Sequence, residues 1–472
     1  VSSKKVRNIE ITGLTADSRA VRPGFLFAAL PGVKFDGRDF IPAAIANGAT
    51  AILSPIEIPV PENVKLIVAE NPRAEFARLA AEFYSGAPKT IFAVTGTNGK
   101  TSTVTLLRQM WEALGYSAAS IGTLGVEGTH YNEPGALTTP DPVKLHQTLA
   151  TLVEYGIDHA AMEASSHGID QERLAGVKLA AGIFTNLTRD HLDYHETMEN
   201  YFAAKARLFT ELLPDGAPAA INADDAYGQQ LIEKCKSRLK ICSFGSRGVD
   251  LKLEDYKPRP DGFDVHITYQ NHPYEFYLPL LGKFQVWNTL GVLAALLTSG
   301  EKIENVLPAI SKLKPVRGRL ELVGRTHAGA PVFVDYAHTP DALETVLSAV
   351  REHVTGRLTV VFGCGGDRDK GKRPQMGAIA SEMAERVIVT DDNPRTENAA
   401  TIRAEVMAGA NADARDIGDR RTAIQTAISE LAAGDILVIA GKGHEQGQIV
   451  GDKVIPFDDA SVAQEFLAGR AA

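Results

Sequence analysis

The chain has 472 residues, roughly three domains' worth, with 44% hydrophobic and 23% charged residues, a balance that fits a folded protein with a sizeable core and excludes disorder as its main state. Lys and Arg number 49 against 58 Asp and Glu, a net charge of −9, which makes a general nucleic-acid or anionic-membrane binder a poor fit. Cys235, Cys242 and Cys364 form no C-x-x-C pair, which argues against a disulfide framework or a zinc site and for a reducing compartment. Lys4, Lys5 and Arg7 have no apolar stretch behind them, so no signal peptide is expected. No run of about 18 apolar residues is present to span a bilayer. The expectation is a soluble, cytoplasmic protein.

In chain order, residues 1–88 read as a small α/β domain, with apolar pieces at Phe25–Leu30 and Ala51–Leu53. Ser85-Gly86-Ala87-Pro88 marks its boundary. Residues 89–315 then repeat strand–loop–helix units. Strands are predicted at Thr90–Val94, His159–Glu163, Ala181–Thr185 and Ala219–Asn222, with helices at Thr101–Leu114 and Val286–Thr298. Alternation from Phe263 to Leu281 around Asn271-His272-Pro273 predicts an antiparallel hairpin. Residues 316–472 carry β-rich runs at Val332–Tyr336, Leu358–Phe362, Val387–Thr390 and Ile436–Ala440, mostly followed by helices. That alternation predicts a parallel sheet with helices on its faces and ligands at the strands' carboxyl ends.

Gly96-Thr97-Asn98-Gly99-Lys100-Thr101-Ser102 lies between a strand and a helix. Glycines let backbone N–H groups curl around phosphate, and the helix N-terminus adds its positive dipole end. Lys100 can reach the outer phosphates and the Thr101 hydroxyl can bind Mg²⁺. The spacing departs from the usual phosphate loop, since Val94 stands where G-x-x-x-x-G-K-[ST] has its first glycine.

Met162 to Gly168 ends one strand and Thr185 to His195 the next, so Glu163 and His191 could complete an Mg²⁺ site near the phosphates. Structural hydrogen bonding is the other reading of such clusters. A zincin is excluded because Leu192 replaces the glutamate of H-E-x-x-H, and a serine hydrolase because G-x-S-x-G is missing around Ser165. A helix predicted over Glu199–Leu212 puts Tyr201, Lys205, Leu208 and Leu212 on one face. From spacing alone, Lys205 is expected to snorkel, with its ammonium in water.

Together with Thr15–Arg19, Thr138-Thr139, Gly318–Glu321, Asp335–Asp341, Gly363–Arg373, Asp392-Asn393-Pro394-Arg395 and Gly441–Glu445, these motifs resemble the Mur ligase family over nearly the whole chain. Ala164, where many relatives carry Val, touches no chemistry. The resemblance implies three α/β domains: a small N-terminal one, a central P-loop ATPase-like one with a mostly parallel sheet, and a C-terminal Rossmann-like one. It implies ATP- and Mg²⁺-dependent amide synthesis in peptidoglycan assembly, through an acyl phosphate. Its implied substrates are a UDP-N-acetylmuramoyl dipeptide and meso-diaminopimelate. Nucleic acid and membrane insertion are not expected, and a monomer is.

Carried over by motif, Lys100, Glu163, His191 and Lys205 would be catalytic, with Thr101, Glu163, His191 and carbamylated Lys205 serving Mg²⁺. Asn288, Arg319 and Asp335 would join Gly96–Ser102 in holding ATP. Ser18, Thr138, Thr139, Ser165, Gln171 and Arg173 would hold the UDP-linked substrate. Arg368, Asp392, Asn393, Pro394, Arg395, Gly441 and Glu445 would hold the amino acid. The family pattern also implies closure of the third domain over the second. Rival readings are an L-lysine-adding relative, folylpolyglutamate synthase, or a nucleotide-binding regulator without chemistry. The Asp-Asn-Pro-Arg loop argues against the folate enzyme. Lys100, Glu163 and Lys205, all present, argue against the regulator. The basic stretch Arg368–Arg373 is interrupted by acids and reads as a carboxylate-binding loop.

Overall fold

The computed structural model describes residues 3–32, 35–135, 137–259 and 261–469. The chain divides into two compact units: Val1–Glu254 with His266–Tyr274 and Trp287–Lys312, and Asp255–Val265 with Glu275–Val286 and Leu313–Ala472.

Besides a short antiparallel ribbon (Lys4–Val6 with Ile9–Ile11), the first unit holds two larger sheets. Its small N-terminal sheet has four parallel strands, β1 (Gly13–Thr15), β2 (Phe25–Ala28), β3 (Ala51–Ser54) and β4 (Lys65–Val68), in that order. Helix α1 (Pro72–Phe83) starts where the Asn71 side chain accepts the Ala74 N–H and proline fills the first turn. The central sheet is built on β5 (Thr90–Thr95), β6 (Ala118–Gly122), β7 (His159–Glu163), β8 (Ala181–Phe184), β9 (Pro218–Asn222) and β10 (Lys240–Gly245). These run parallel in the order β6-β7-β5-β8-β9-β10. The order reverses around β5, so the loops after β5, β7 and β8 lie side by side, where α/β sheets bind ligands. Helix α2 (Lys100–Ala113) leaves the first of these loops, and helix α3 (Met198–Arg207) follows the third.

Helix α3 stops five residues short of the predicted end. The Leu213 N–H reaches back five residues to the Leu208 carbonyl, a wide π turn that ends the regular helix. Tyr201, Lys205 and Leu208 are buried, as one apolar face requires. The expected snorkelling of Lys205 is overturned, because its side chain turns inward to a backbone carbonyl rather than out to water.

In the second unit, β11 (Glu321–Arg325), β12 (Pro331–Asp335), β13 (Leu358–Phe362), β14 (Arg386–Val389), β15 (Arg415–Asp416) and β16 (Ile436–Ala440) pair in the order β11-β12-β16-β13-β14-β15. All neighbours are parallel except β11 and β12. Val332, Val334, Val361, Ile388, Leu437 and Ile439 enter one core, while Phe333, Val360, Phe362, Val389 and Val438 enter the other. Alternate residues of each strand thus face opposite cores, which explains the continuous apolar runs in the sequence.

One buried ion pair fastens this unit's helices to its sheet. Arg420, at the start of helix Arg420–Ser429, donates two hydrogen bonds to Asp459 at 2.7 and 2.6 Å and one to the Ala440 carbonyl at 2.9 Å. Both side chains are fully buried. Asp459→Ala would strand the guanidinium, at a cost of about 3–5 kcal/mol. The expected result is a lowered denaturation midpoint with early loss of amide protection in β16. An unchanged midpoint would contradict it.

Candidate active site

The loop between β5 and α2 is shaped by two glycines. Gly96 sits at φ +154° and Gly99 at φ +85°. A Cβ on Gly96 would fall 1.9 Å from the Thr185 hydroxyl, and one on Gly99 2.5 Å from the Asn288 amide oxygen. Neither space admits a side chain. The loop after β8 braces it: Asn98 N–H donates to Asn186 Oδ1 at 2.9 Å, Thr185 Oγ1 donates to the Asn98 carbonyl at 2.6 Å, and Thr97 N–H donates to the Asn186 carbonyl at 2.9 Å. Lys100 folds back so that its ammonium donates to the Gly96 and Thr97 carbonyls, each at 2.9 Å. Thr101 and Ser102 are buried in the first turn of α2, and Asn288 is buried against the loop.

Lys205 reaches the same place from α3. Its Nζ donates to the Gly96 carbonyl at 2.8 Å and lies 4.5 Å from the centre of the Tyr201 ring. Burial pushes its pKa well below the usual lysine value, Lys100 adds to the effect, and Asp190 opposes it. His191, at φ +52°, places Nε2 at 3.4 Å from Asp190. Its pKa is lowered by burial first, then by His167, Lys100 and Lys205, against Asp190.

Glu163, at the end of β7, is 1% exposed. Its Oε1 accepts the Thr123 N–H at 2.7 Å and its Oε2 the Thr123 hydroxyl at 3.3 Å. Thr123, just past β6, also meets Thr138 at 3.1 Å. Sequence reading missed Thr123, whose only signal is its place at the carboxyl end of a parallel strand. Among the described residues, no three His, Cys, Asp or Glu side chains converge as a metal cage. The hard oxygens of Glu163 and Thr101 suit a Mg²⁺ ion that keeps water and takes its remaining ligands from phosphate.

A hydrogen-bonded chain leads away from Glu163. Its carbonyl accepts from Thr139 Oγ1 at 2.9 Å, and Thr139 Oγ1 meets Ser165 Oγ at 3.0 Å. Arg173 donates to the Thr139 carbonyl at 2.7 Å and to Gln171 at 2.8 Å. Gln171 and Arg173 also line a cavity of about 510 Å³ with Asp17, Leu30, Arg73 and Phe76. Ser18 is not part of that lining but follows Asp17 in the chain, and its carbonyl accepts from Asn47. Arg73 and Phe76, which the sequence reading did not single out, supply charge and a ring there.

The second unit gathers the other predicted residues at the ends of β12, β13, β14 and β16. Asp335 Oδ2 accepts the Leu320 N–H at 2.6 Å and Oδ1 the Ala337 N–H at 2.7 Å. Burial pushes Asp335 up to about 6, against Arg319 and these two donors. The Arg319 guanidinium stacks 4.6 Å from the centre of the Tyr336 ring. Asp392 and Asn393 are buried, and Asn393 Nδ2 donates to Glu445 Oε2 at 2.8 Å. Gly441, at φ +112°, lets the chain pass Asp392, since a Cβ would fall 2.7 Å from Asp392 Oδ2.

Arg395 follows Pro394 at φ +51°, held by backbone hydrogen bonds on both sides to Ile449 and Gly451, and its Nη1 donates to the Gly366 carbonyl at 2.9 Å. Pairing with strand β17 (Gly447–Val450) holds this conformation. The stretch Arg368–Arg373 divides in two. Arg368 is exposed, but Arg373 is fully buried and paired with Glu397 at 2.8 Å and Glu405 at 2.6 Å, so it is a structural cation.

A glycine-turned loop before a helix, beside a buried carboxylate and an inward lysine, defines a nucleotide-site architecture on a parallel sheet. The sequence matches three family descriptions in order: Mur ligase family, catalytic domain (residues 10–84), Mur ligase middle domain (94–296), and Mur ligase, glutamate ligase domain (318–443). The chain belongs to the Mur ligase family. It is 51% identical over 464 residues to the UDP-N-acetylmuramoyl-L-alanyl-D-glutamate–2,6-diaminopimelate ligase of Brucella melitensis, covering 98% of this chain and 95% of that one. A solved structure of a ligase of that name is 36% identical, with a TM-score of 0.72, over 98% of this chain and 95% of its own. Mycobacterium tuberculosis folylpolyglutamate synthase with ADP, at 17% identity and a TM-score of 0.65 over 79% of this chain and 92% of its own, shares the fold alone.

Gly96→Ala should fold yet lose nucleotide binding, because the methyl group would displace Thr185 and open the loop. Calorimetric titration with ADP, alongside an unchanged circular dichroism spectrum, tests this. Saturable binding like that of the parent protein would refute it.

Proposed function

We infer that the protein is an ATP-dependent amide-forming ligase that joins meso-diaminopimelate to the D-glutamyl carboxylate of UDP-N-acetylmuramoyl-L-alanyl-D-glutamate in peptidoglycan synthesis. The observation that carries this is near-full-length likeness, at about half identity, to a ligase named for that reaction, together with a complete set of the residues that such chemistry needs. A carboxylate is a poor electrophile. Transfer of the γ-phosphoryl group from ATP makes an acyl phosphate and releases ADP. The amine of the incoming amino acid then attacks the acyl carbon, and phosphate and a proton leave. Positioning and charge neutralisation carry most of such catalysis.

In this reading, domains with boundaries near residues 88 and 315 divide the work. Gly96–Ser102 and Asn288 hold ATP with Arg319 and Asp335, and Lys100 leaves the loop carbonyls to neutralise the transferring phosphoryl group. Ser18, Thr138, Thr139, Ser165, Gln171 and Arg173 hold the UDP-linked substrate. Bound Mg²⁺ would offset negative charge on the phosphates. Thr101, Glu163, His191 and the carbamylated form of Lys205 would hold it. Arg395 and Arg368 recognise the distal carboxylate of diaminopimelate, Asp392 and Glu445 its ammonium, and Asn393, Pro394 and Gly441 shape the pocket. The cytoplasm suits a chain whose three cysteines are free and buried. No helix among the described residues is long and apolar enough to cross a membrane.

Phosphate release with the UDP-muramyl dipeptide and a panel of amino acids tests this assignment. Diaminopimelate should be strongly preferred over L-lysine, and Arg395→Ala should raise KM for diaminopimelate far more than it lowers kcat. Equal or better use of lysine by the parent protein would overturn the substrate assignment.

A second expectation concerns Lys205. Its buried amine, disfavoured as an ammonium, can attack CO₂, form an N–C bond, and lose a proton to give an anionic carbamate. Lys205→Ala should be nearly inactive and recover partly with added short carboxylates, and ¹³CO₂ should give a carbamate resonance in the parent protein but not in the variant. Full activity without rescue, or no resonance, would reject the modification.

A further inference from the structure

We propose that Lys442, buried behind the amino-acid residues of the second unit, determines specificity by setting the charge of their acidic end. The proposal rests on the reading above, in which Asp392, Glu445 and Arg395 receive the distal end of diaminopimelate. Lys442 follows Gly441 in the loop after β16, and its side chain has no solvent exposure. Its Nζ donates to Asn393 Oδ1 at 3.0 Å and to Glu445 Oε2 at 3.0 Å, and lies 3.9 Å from Asp392 Oδ1. Asn393 closes the triangle with its own hydrogen bond to Glu445 Oε2. Asn393 Oδ1 also accepts the Ile449 N–H at 2.9 Å, and Gln448 donates to the Asp392 carbonyl at 2.6 Å, so β17 holds the same loop.

A buried lysine is tolerated where carboxylates compensate it, and here one cation serves two. Asp392 and Glu445 carry two negative charges, and Lys442 cancels one. With the Arg395 guanidinium these four side chains sum to zero, and the solvent-exposed Arg368 is screened by water and salt and adds little to the field among them. A neutral pocket with separated charges suits a zwitterionic end group, an ammonium beside a carboxylate. L-lysine presents the ammonium alone and would leave the pocket with an uncompensated positive charge. Without Lys442 the pocket would gain a net negative charge. The ammonium, common to both amino acids, would be held at least as well, while the carboxylate, present only in diaminopimelate, would be repelled. Lys442 touches no reacting atom in this scheme and acts through Asn393 and Glu445 as a positioning residue.

The test compares kcat/KM for diaminopimelate and for L-lysine, at saturating ATP and UDP-muramyl dipeptide, in the parent protein and in Lys442→Met. The expected result is a fall of about tenfold or more in the diaminopimelate-to-lysine ratio, carried by KM for diaminopimelate with kcat less affected. A role confined to holding the loop would weaken both amino acids in parallel and leave the ratio unchanged, which would overturn the proposal. Lys442→Gln, which keeps a hydrogen-bond donor but not the charge, should shift the ratio in the same direction. A parental ratio in this second variant would also overturn it. The double variant Lys442→Met with Glu445→Gln removes one charge of each sign and serves if Lys442→Met does not fold. It should return most of the parental ratio, and failure to do so counts against the charge argument. A parent protein that does not use diaminopimelate would instead refute the functional reading beneath it.

Discussion

The carbonyl oxygen of Gly96 is the point on which the first unit's site depends. It accepts from Lys100 at 2.9 Å and from Lys205 at 2.8 Å. Two ammonium groups on one acceptor repel each other, and burial adds a further penalty for Lys205. The more deeply buried lysine yields, which is why the Lys205 pKa falls with desolvation as the first cause and Lys100 as the second. The same carbonyl belongs to a glycine held at φ +154° by its neighbours, so the loop's shape also fixes the acceptor that draws Lys205 inward.

Much of this fold can be read from the chain because the parallel strands of the two larger sheets are buried on two faces. Val332 to Val334 and Ile436 to Ala440 have to be apolar on successive residues, and such runs stand out against the polar residues that follow them. The phosphate loop is legible for the same reason, as its glycines punctuate an apolar strand and a helix. Thr123 and Lys442 were not legible, since an isolated threonine after a strand, or a lysine between two glycines, has the composition of an ordinary exposed turn. Their roles come from residues distant in sequence: Glu163 is 40 positions from Thr123, and Asn393 is 49 from Lys442. Local pattern carries no trace of such pairings. Lys205 shows the opposite failure. The periodicity placed it correctly on an apolar face, but the general habit of lysine, with its head in water, gave way to a carbonyl waiting inside.

Among the described residues, the three fully buried cations of the second unit differ in how completely their partners are used. Arg420 meets both oxygens of a fully buried Asp459 and a backbone carbonyl, which leaves no acceptor facing a ligand. Arg373 divides between Glu397, both of whose oxygens it engages, and Glu405 on the helix Ala399–Met407, so its charge is spent within the loop it braces. Lys442 alone among the three has both of its carboxylate neighbours, Asp392 and Glu445, in the loops where β14 and β16 end. Glu445 gives it only one of two oxygens, Oε2, while Asp392 stands at the edge of ion-pair range. A stabilising pair saturates its partners, because every unused acceptor in a buried place costs free energy. A cation that leaves carboxylate capacity unused, at the end of a parallel sheet where substrates bind, is placed to be completed by an incoming ammonium. That difference in saturation, rather than burial or charge, separates the lysine that reads a substrate from the arginines that hold the fold.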